Sequence, residues 1–370
     1  MSFRTRISIL SVVLVVLIVT YVVGTAFSPQ ARRARAANQP VVSAFAVEDV
    51  GGIELFTQGD DADGRTVTIR RDGEDEWSVR LEETFFPARA SRVTALLEAL
   101  QGLRTVRTVT DNPDLYGDFE IGEDAADRVT VTSIEGEVLA TAYFGKPAVQ
   151  GNRVYVRAAD DRTVYITQSS LSFYFQEQAD YFADLLALPR GLTGSAVQRI
   201  SIDADIAVGE PEEEGGEATR RVARFTVFRN ENGQWQFDDT FTPPEGAQVD
   251  QDAVNRWAGN IVDFEASSFA TSDTGEAEDA FGLENPAMEV TFSTGSGREY
   301  ALQVGNRART EQFFLQASGP DVLSDENGEP YLLTASTFGV RRLFRAPDDL
   351  YTIADQEETG EQAETGTGRE

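Results

Sequence analysis

The body of this chain is written twice, and that repetition constrains its fold more than any other feature. A segment around 65–182 and a segment around 221–352 pass through the same order of events. Each opens with a strand, a turn and a tryptophan-bearing strand: TVTIRRDGEDEWSVRL, then ARFTVFRNENGQWQF. Each continues with a run of helical spacing, RASRVTALLEALQGL and then QDAVNRWAGNIVDF. An aromatic-glycine step follows, at Tyr116-Gly117 and Phe281-Gly282. A strand pair then reaches glycine in YFGK (Gly145) and QVGN (Gly305), and aromatic-rich strands come next, VYV at 154–156 and FFL at 313–315. Internal repeats decide architecture before any local assignment does. Trp77, Gly117 and Gly145 are therefore expected to match Trp235, Gly282 and Gly305 as structural anchors of one unit used twice.

Within each copy the periodicities define an α+β unit. Val50, Ile53 and Leu55 make a first strand; Val67 and Ile69, then Trp77, Val79 and Leu81, alternate with polar residues at the two-residue period of strands. Val93, Leu96, Leu97, Leu100 and Leu103 recur at helical spacing, with Ser91 placed to cap the helix start. TVRTV, VTVTSI, VLATAYFG, RVYVRA and TVYITQ are short alternating runs broken by turn residues, which predicts an antiparallel meander packed with one or two helices. SLSFYFQEQADYFADLLAL is expected to close the first unit as helix, and Pro189-Arg190-Gly191 to end it. The second unit opens on VQRISIDADIAV and carries Val254, Trp257, Ile261 and Val262 on the buried face of its helix. The expected organisation is an anchor at 1–27, a linker at 28–42, repeats at 43–189 and 190–352, and a disordered acidic tail at 353–370.

The apolar stretch 7–27, ISILSVVLVVLIVTYVVGTAF, carries no charge and follows Arg4 and Arg6. Spanning a hydrocarbon core takes about 20 apolar residues, whereas a cleaved signal has an apolar region of about 7–15. The stretch reads as an uncleaved single transmembrane helix with the body on the periplasmic or extracellular side. Arg32, Arg33 and Arg35 compete under the positive-inside rule, and TAFSPQ and ARAAN contain small residues a signal peptidase accepts, so reversed orientation and cleavage are the alternatives.

Composition excludes much chemistry. There is no histidine and no cysteine. Ser-His-Asp and Cys-His pairs are impossible, as are ordinary zinc sites and disulfides. A net charge of −30 repels phosphate backbones, so nucleic acid is not an expected partner. Lys146 is the sole lysine, which fits either work in high salt or an arginine-favouring coding bias.

Carboxylates remain the main acid-base resource. Glu82-Glu83 and Asp238-Asp239 follow the two tryptophan strands in matching places and are the candidate ligand-cleft residues, although a shared loop geometry explains the recurrence too. DDADGRT at 60–66 is compared with a calcium loop, but aligning Gly64 as the loop glycine puts Gly59 and Arg70 at ligand positions. It reads as a polar turn, as does DENGEP at 325–330. Phe173, Tyr174, Phe175, Tyr181 and Phe182 fit a buried face better than a glycan groove. GDDADG and GKP lack phosphate-loop spacing. No catalytic residue, metal or cofactor is expected.

The order of anchor, turn-tryptophan strand, helix, aromatic-glycine step, strand-glycine pair and VYV and VYI strands resembles a bacterial family known as domain of unknown function 4340. AFGLENPAMEVTF at 280–292 carries the resemblance best; LYGDFEIGEDAADRVTV departs from it, with Asp118-Phe119 in place of the Gly-Leu step and no following proline. The resemblance implies an envelope protein, often encoded beside gliding-type ABC transport systems, with no catalytic residues to transfer. The resulting expectation is a non-catalytic accessory or scaffold subunit. The alternatives are a ligand- or glycan-binding module using the cleft between repeats, and a carboxylate hydrolase working through Glu83 or Asp239.

Overall fold

The computed structural model describes residues 37–59, 64–148, 153–208, 219–271, 281–308 and 312–353. The expected span at 7–27, positions 60–63 of the DDADGRT turn, the acidic run 209–218 and the tail beyond 353 lie outside these residues. Among the described residues no helix is long and apolar enough to cross a membrane. The chain divides into two compact units between Asp184 and Leu185, ahead of the break at Pro189. Leu185–Ala187 fall in the second unit because they bond to it: Ala266 N–H donates to Leu185 O at 2.8 Å, and Ala187 N–H to Phe264 O at 3.0 Å.

The first unit is one nine-stranded sheet, antiparallel throughout. Its strands are β1 (Val50–Thr57), β2 (Arg65–Arg71), β3 (Trp77–Leu81), β4 (Thr84–Ala88), β5 (Thr105–Thr110), β6 (Asp127–Ser133), β7 (Val138–Pro147), β8 (Val154–Ala158) and β9 (Val164–Thr167), in the order β4-β3-β2-β1-β6-β7-β8-β9-β5. Alternation supplies one buried apolar face: Ile53, Leu55, Val67, Ile69, Val79, Val129 and Val131 are all buried. Helix α1 (Ala90–Gly102) buries Val93, Leu96, Leu97 and Leu100, each worth about 1.5–3 kcal/mol of transfer free energy. Its N-cap is Arg89, which makes no side-chain capping bond, so Ser91 lies inside the first turn rather than at the cap. The segment expected as a closing helix holds only α2 (Ser172–Gln176) and α3 (Ala179–Phe182). The chain extends again at Ala183, which bridges to Ala88, and Asp184 N–H donates to Pro87 O at 2.8 Å.

The second unit repeats this order. Its main strands are β10 (Val197–Ala207), β11 (Arg220–Arg229), β12 (Trp235–Phe237), then, after β13 (Ala247–Val249), β14 (Ser268–Phe269), β15 (Met288–Thr294), β16 (Glu299–Arg307), β17 (Phe313–Ser318) and β18 (Leu332–Ala335). The sheet order β12-β11-β10-β15-β16-β17-β18-β14 matches the first sheet strand for strand, except that β4 has no counterpart in it. β13 instead pairs with β19 (Tyr351–Ile353). The edge of β12 meets a side chain: Trp235 N–H donates to Gln251 Oε1 at 2.7 Å, and Gln251 Nε2 donates to Trp235 O at 3.0 Å. Helix α4 (Gln251–Val262) is capped by Asp250, whose Oδ1 accepts from Asp252 N and Ala253 N, and it buries Val254, Trp257, Ile261 and Val262. Trp257 Nε1 donates to Leu343 O at 2.7 Å at the end of α5 (Thr337–Leu343).

Three devices recur in both units. The first is a clamp: Arg71 Nε donates to Val50 O at 2.7 Å with its guanidinium 4.4 Å from the Trp77 ring, and Arg229 Nε donates to Val197 O at 3.0 Å with its guanidinium 4.4 Å from the Trp235 ring. The second is a pair of bulges in each unit, at Val50/Gly52 and Phe144/Pro147, then at Val197/Arg199 and Val304/Arg307. The third is a close approach: a Cβ on Gly145 would stand 2.1 Å from Phe119 O, and one on Gly305 would stand 1.9 Å from Phe281 O.

That third device corrects one expected equivalence. Phe281-Gly282 matches Phe119-Glu120, not Tyr116-Gly117. Phe119 packs on Tyr155 at 4.7 Å as Phe281 packs on Phe314 at 4.8 Å. Glu120 takes the left-handed conformation (φ 54°) that Gly282 takes (φ 71°). Gly117 sits in a 3-10 turn with open space around it.

Candidate functional site

The two units also differ on the opposite, solvent-facing side of their central strands. In the first unit register places Gly52 opposite Arg70 and Thr132, and Glu54 opposite Thr68 and Thr130. These residues line an open groove of about 1020 Å³. At its ends stand Val47, Ile134, Asp72, Glu74 and Asp75. Ile134 is 64% exposed, unusual for isoleucine at a hairpin tip. Arg70 is oriented by Asp72 Oδ1 at 2.8 Å and Ser78 Oγ at 3.1 Å, and it lies 4.1 Å from the Phe85 ring. Glu54 is paired with Arg128 at 3.2 Å.

The same register in the second unit puts Arg199 where Gly52 stands and Ser201 where Glu54 stands. Arg199 reaches Asp238 at 2.7 Å, Arg224 reaches Asp203 at 2.9 Å, and the Ser201 and Thr226 hydroxyls bond at 2.9 Å. Side chains thus occupy this face, leaving two smaller cavities of about 390 and 280 Å³. Gly52 brings no side chain to the groove where its counterpart Arg199 fills the same face, and the Thr132 hydroxyl stands close in its place: a Cβ there would meet Thr132 Oγ1 at 2.8 Å. Sequence reading places a first strand through Val50, Ile53 and Leu55 and names no site at the intervening Gly51 and Gly52. Comparison of the aligned copies, glycine against arginine, is the signal that could have found it.

The carboxylates singled out from sequence are engaged locally. Glu82 occupies the left-handed position of the β3–β4 hairpin (φ 51°), and Arg80 pairs with Glu83. Asp238 accepts from Arg199, from the Thr240 N–H at 3.0 Å and from the Thr240 hydroxyl. Burial opposes its ionisation, but these donors outweigh it and hold its carboxyl below the usual range. Asp239 is exposed beside it. The pairs belong to different units and are loop-forming residues. Asp127, by contrast, has its carboxyl pushed up by burial, against the Gln58 N–H at 2.9 Å and the charge of Arg65. Among the described residues no group of three or more carboxylates is placed to hold a metal ion. The aromatic run packs on itself: Phe175 and Phe182 are buried, Tyr181 lies 5.0 Å from Phe182, and only Phe173 is largely exposed.

Fold and site define a tandem-repeat protein of antiparallel sheets whose solvent-facing sides differ between the copies. The chain belongs to the family described as domain of unknown function (DUF4340), which matches residues 77–239 and again 235–361. Both matches open on a tryptophan strand, at or beside Trp77 and Trp235, so the family segment is out of phase with the compact units. An uncharacterised protein of Treponema pallidum (strain Nichols) is 22% identical over 133 residues, covering 36% of this chain and 42% of that protein. The match therefore spans less than half of that relative's length.

Proposed function

We propose that this chain is a non-catalytic envelope protein, held by a single transmembrane helix at 7–27, that serves as an accessory or scaffold subunit of an ABC-type transport complex. The observation that carries this reading is the groove of the first unit. The paired copies preserve what holds the fold and differ where a surface is offered. The groove offers threonine hydroxyls, charged groups and one exposed isoleucine, a composition suited to binding. The family resemblance supplies the transport context.

The test is affinity purification of the full chain from native membranes in mild detergent, with mass spectrometry of what co-purifies. Stoichiometric permease and ATPase are expected with the natural chain and lost with Gly52→Arg, which gives the first groove the side chain its counterpart carries. Recovery of the folded chain alone would sink the accessory-subunit reading. In that event, thermal stabilisation by cell-wall fragments, absent in Gly52→Arg, would support a ligand-binding module in the same groove.

A further inference from the structure

The hairpin between β6 and β7 closes on Ser133. The Ser133 hydroxyl accepts from Glu135 N–H at 3.1 Å and from Glu137 N–H at 3.2 Å, and Ser133 N–H donates to Glu137 O at 2.7 Å. Gly136 supplies the left-handed conformation of the turn (φ 86°). Ile134 N–H donates to Asp49 O at 3.0 Å, and a Cβ on Gly51 would stand 2.6 Å from Ile134 Cα. The tip is thus pinned by hydrogen bonds and by close backbone packing. It carries Ile134, 64% exposed, and Val138, 65% exposed, the two most exposed large aliphatic side chains among the described residues.

The second unit builds the same hairpin without them. Register places Ser133 opposite Val50 and Thr294 opposite Val197, so Gly295 stands where Ile134 does and Glu299 where Val138 does. Gly295 N–H donates to Ala196 O at 3.0 Å, the counterpart of the Ile134 bond to Asp49. The turn therefore forms with glycine and glutamate at these places, and its backbone does not require the two aliphatic side chains. Left in water, they forgo the free energy that burial would yield. Carboxylates surround them: Glu135 and Glu137 on the turn, and Glu48, Glu74 and Asp75 in the groove that Ile134 lines, all exposed. None of these acids forms an ion pair among the described residues. The two cations of the groove are held by the fold: Arg70 by Asp72 and Ser78, Arg71 by the Val50 and Val47 carbonyls.

We infer that this tip docks into an apolar pocket of a protein partner, and that the pocket is rimmed by lysine or arginine; the inference rests on the groove reading proposed above and names the chemistry of its partner. A pinned hairpin loses little conformational freedom on binding, so its aliphatic side chains can serve as anchors at low entropic cost. Two apolar groups ringed by charge reproduce the apolar centre and polar rim of a protein interface. The unpaired carboxylates set the sign of that rim. They repel an anionic lipid surface and a second copy of this chain, whose net charge is −30, and they attract a basic surface and steer its approach.

The experiment replaces Ile134, Val138 or, as the control, Gly295 with the photo-cross-linking residue p-benzoylphenylalanine, one at a time, in the full chain in its native membranes, and maps the adducts by mass spectrometry. Positions 134 and 138 are expected to give a shared adduct whose attached peptide carries a surplus of lysine and arginine. Its yield should fall by about tenfold or more in a Glu135→Lys/Glu137→Lys chain and at raised ionic strength, and position 295 should give none. The substituted tip residues are exposed, so tryptophan unfolding midpoints should match the natural chain. An adduct to lipid or to a second copy, a yield indifferent to charge and salt, equal labelling from 295, or no adduct overturns the inference. The two readings separate cleanly. If the adduct is to a protein outside any transport complex and is lost in Val138→Ser, the accessory-subunit reading fails and the docking tip stands. If permease and ATPase co-purify undiminished with Ile134→Ser/Val138→Ser, the docking tip fails and that reading stands.

Discussion

Replacing Gly305 with alanine tests the account of how each sheet is held. The added Cβ would lie 1.9 Å from Phe281 O, and carbon-centred contacts settle near about 3.5 Å, so the Phe281 backbone must retreat by about 1.5 Å. That retreat breaks the Asn306 N–H bond to Phe281 O, 2.8 Å long, at about 1 kcal/mol. It disturbs the Phe281–Phe314 ring contact, worth about 0.5–1.5 kcal/mol beyond its area. Residual overpacking adds about 1–3 kcal/mol. Together the cost is roughly 3–5 kcal/mol, or a urea midpoint lowered by about 1.5–2.5 M at a slope near 2 kcal/mol/M. The chain has three tryptophans, one in the first unit and Trp235 and Trp257 in the second. Fluorescence in a Trp77→Phe background therefore follows the second unit alone. Gly295→Ala, in the same unit and with its Cβ meeting only the Gln198 side chain at an ordinary 3.7 Å, is the matched control and should stay within about 0.5 kcal/mol. A midpoint shift below about 0.3 M for Gly305→Ala would refute the close-approach argument.

Two further substitutions probe single positions. Glu120→Gly should stabilise the first unit by about 0.5–1 kcal/mol, because it relieves a left-handed conformation that only glycine adopts freely, whereas Gly282→Ala should destabilise the second; Trp77 and Trp235/Trp257 unfolding midpoints read each. Asp127→Asn should raise first-unit stability at pH 7 while keeping an oxygen for the Gln58 N–H. Its folded pKa lies above the 3.8 of the free group, so ionisation opposes folding above that pKa and the advantage should fade as pH falls through it; a pH series of urea midpoints that shows no such convergence would exclude burial as the cause.

Much of the fold was legible in the sequence because two-residue alternation and turn residues survive in both copies. The strands of the meander, the helix before β5 and its partner α4 follow from Val, Ile and Leu spacing alone. The failures have local causes. Glu120 fills a glycine's conformation without being glycine, so the aromatic-glycine signature pointed to Tyr116-Gly117 instead. The aromatic spacing of 173–182 reads as a helix, but the chain breaks between Gln176 and Ala179 and extends from Ala183 to bond Pro87, a contact with no trace in local pattern. Sites were harder still. The groove joins strands β1, β2 and β6, from residues around 47–54, 68–75 and 130–136 that are far apart in sequence.

Gln251 has a consequence for how two look-alike sheets coexist in one polypeptide. In the first unit the Trp77 strand is bordered by a full strand, with Trp77 facing Ala88. In the second, the amide of one glutamine makes the two backbone bonds that Trp235 would otherwise offer. An unpaired strand edge recruits other strands, and the nearest candidates during synthesis are the first unit's own lookalikes. Gln251 follows Trp235 by only sixteen residues, so it can occupy that border as soon as this stretch of chain is made. A side chain thereby stands in for a strand, and the fidelity of the repeat depends on an amide that contributes nothing to either core.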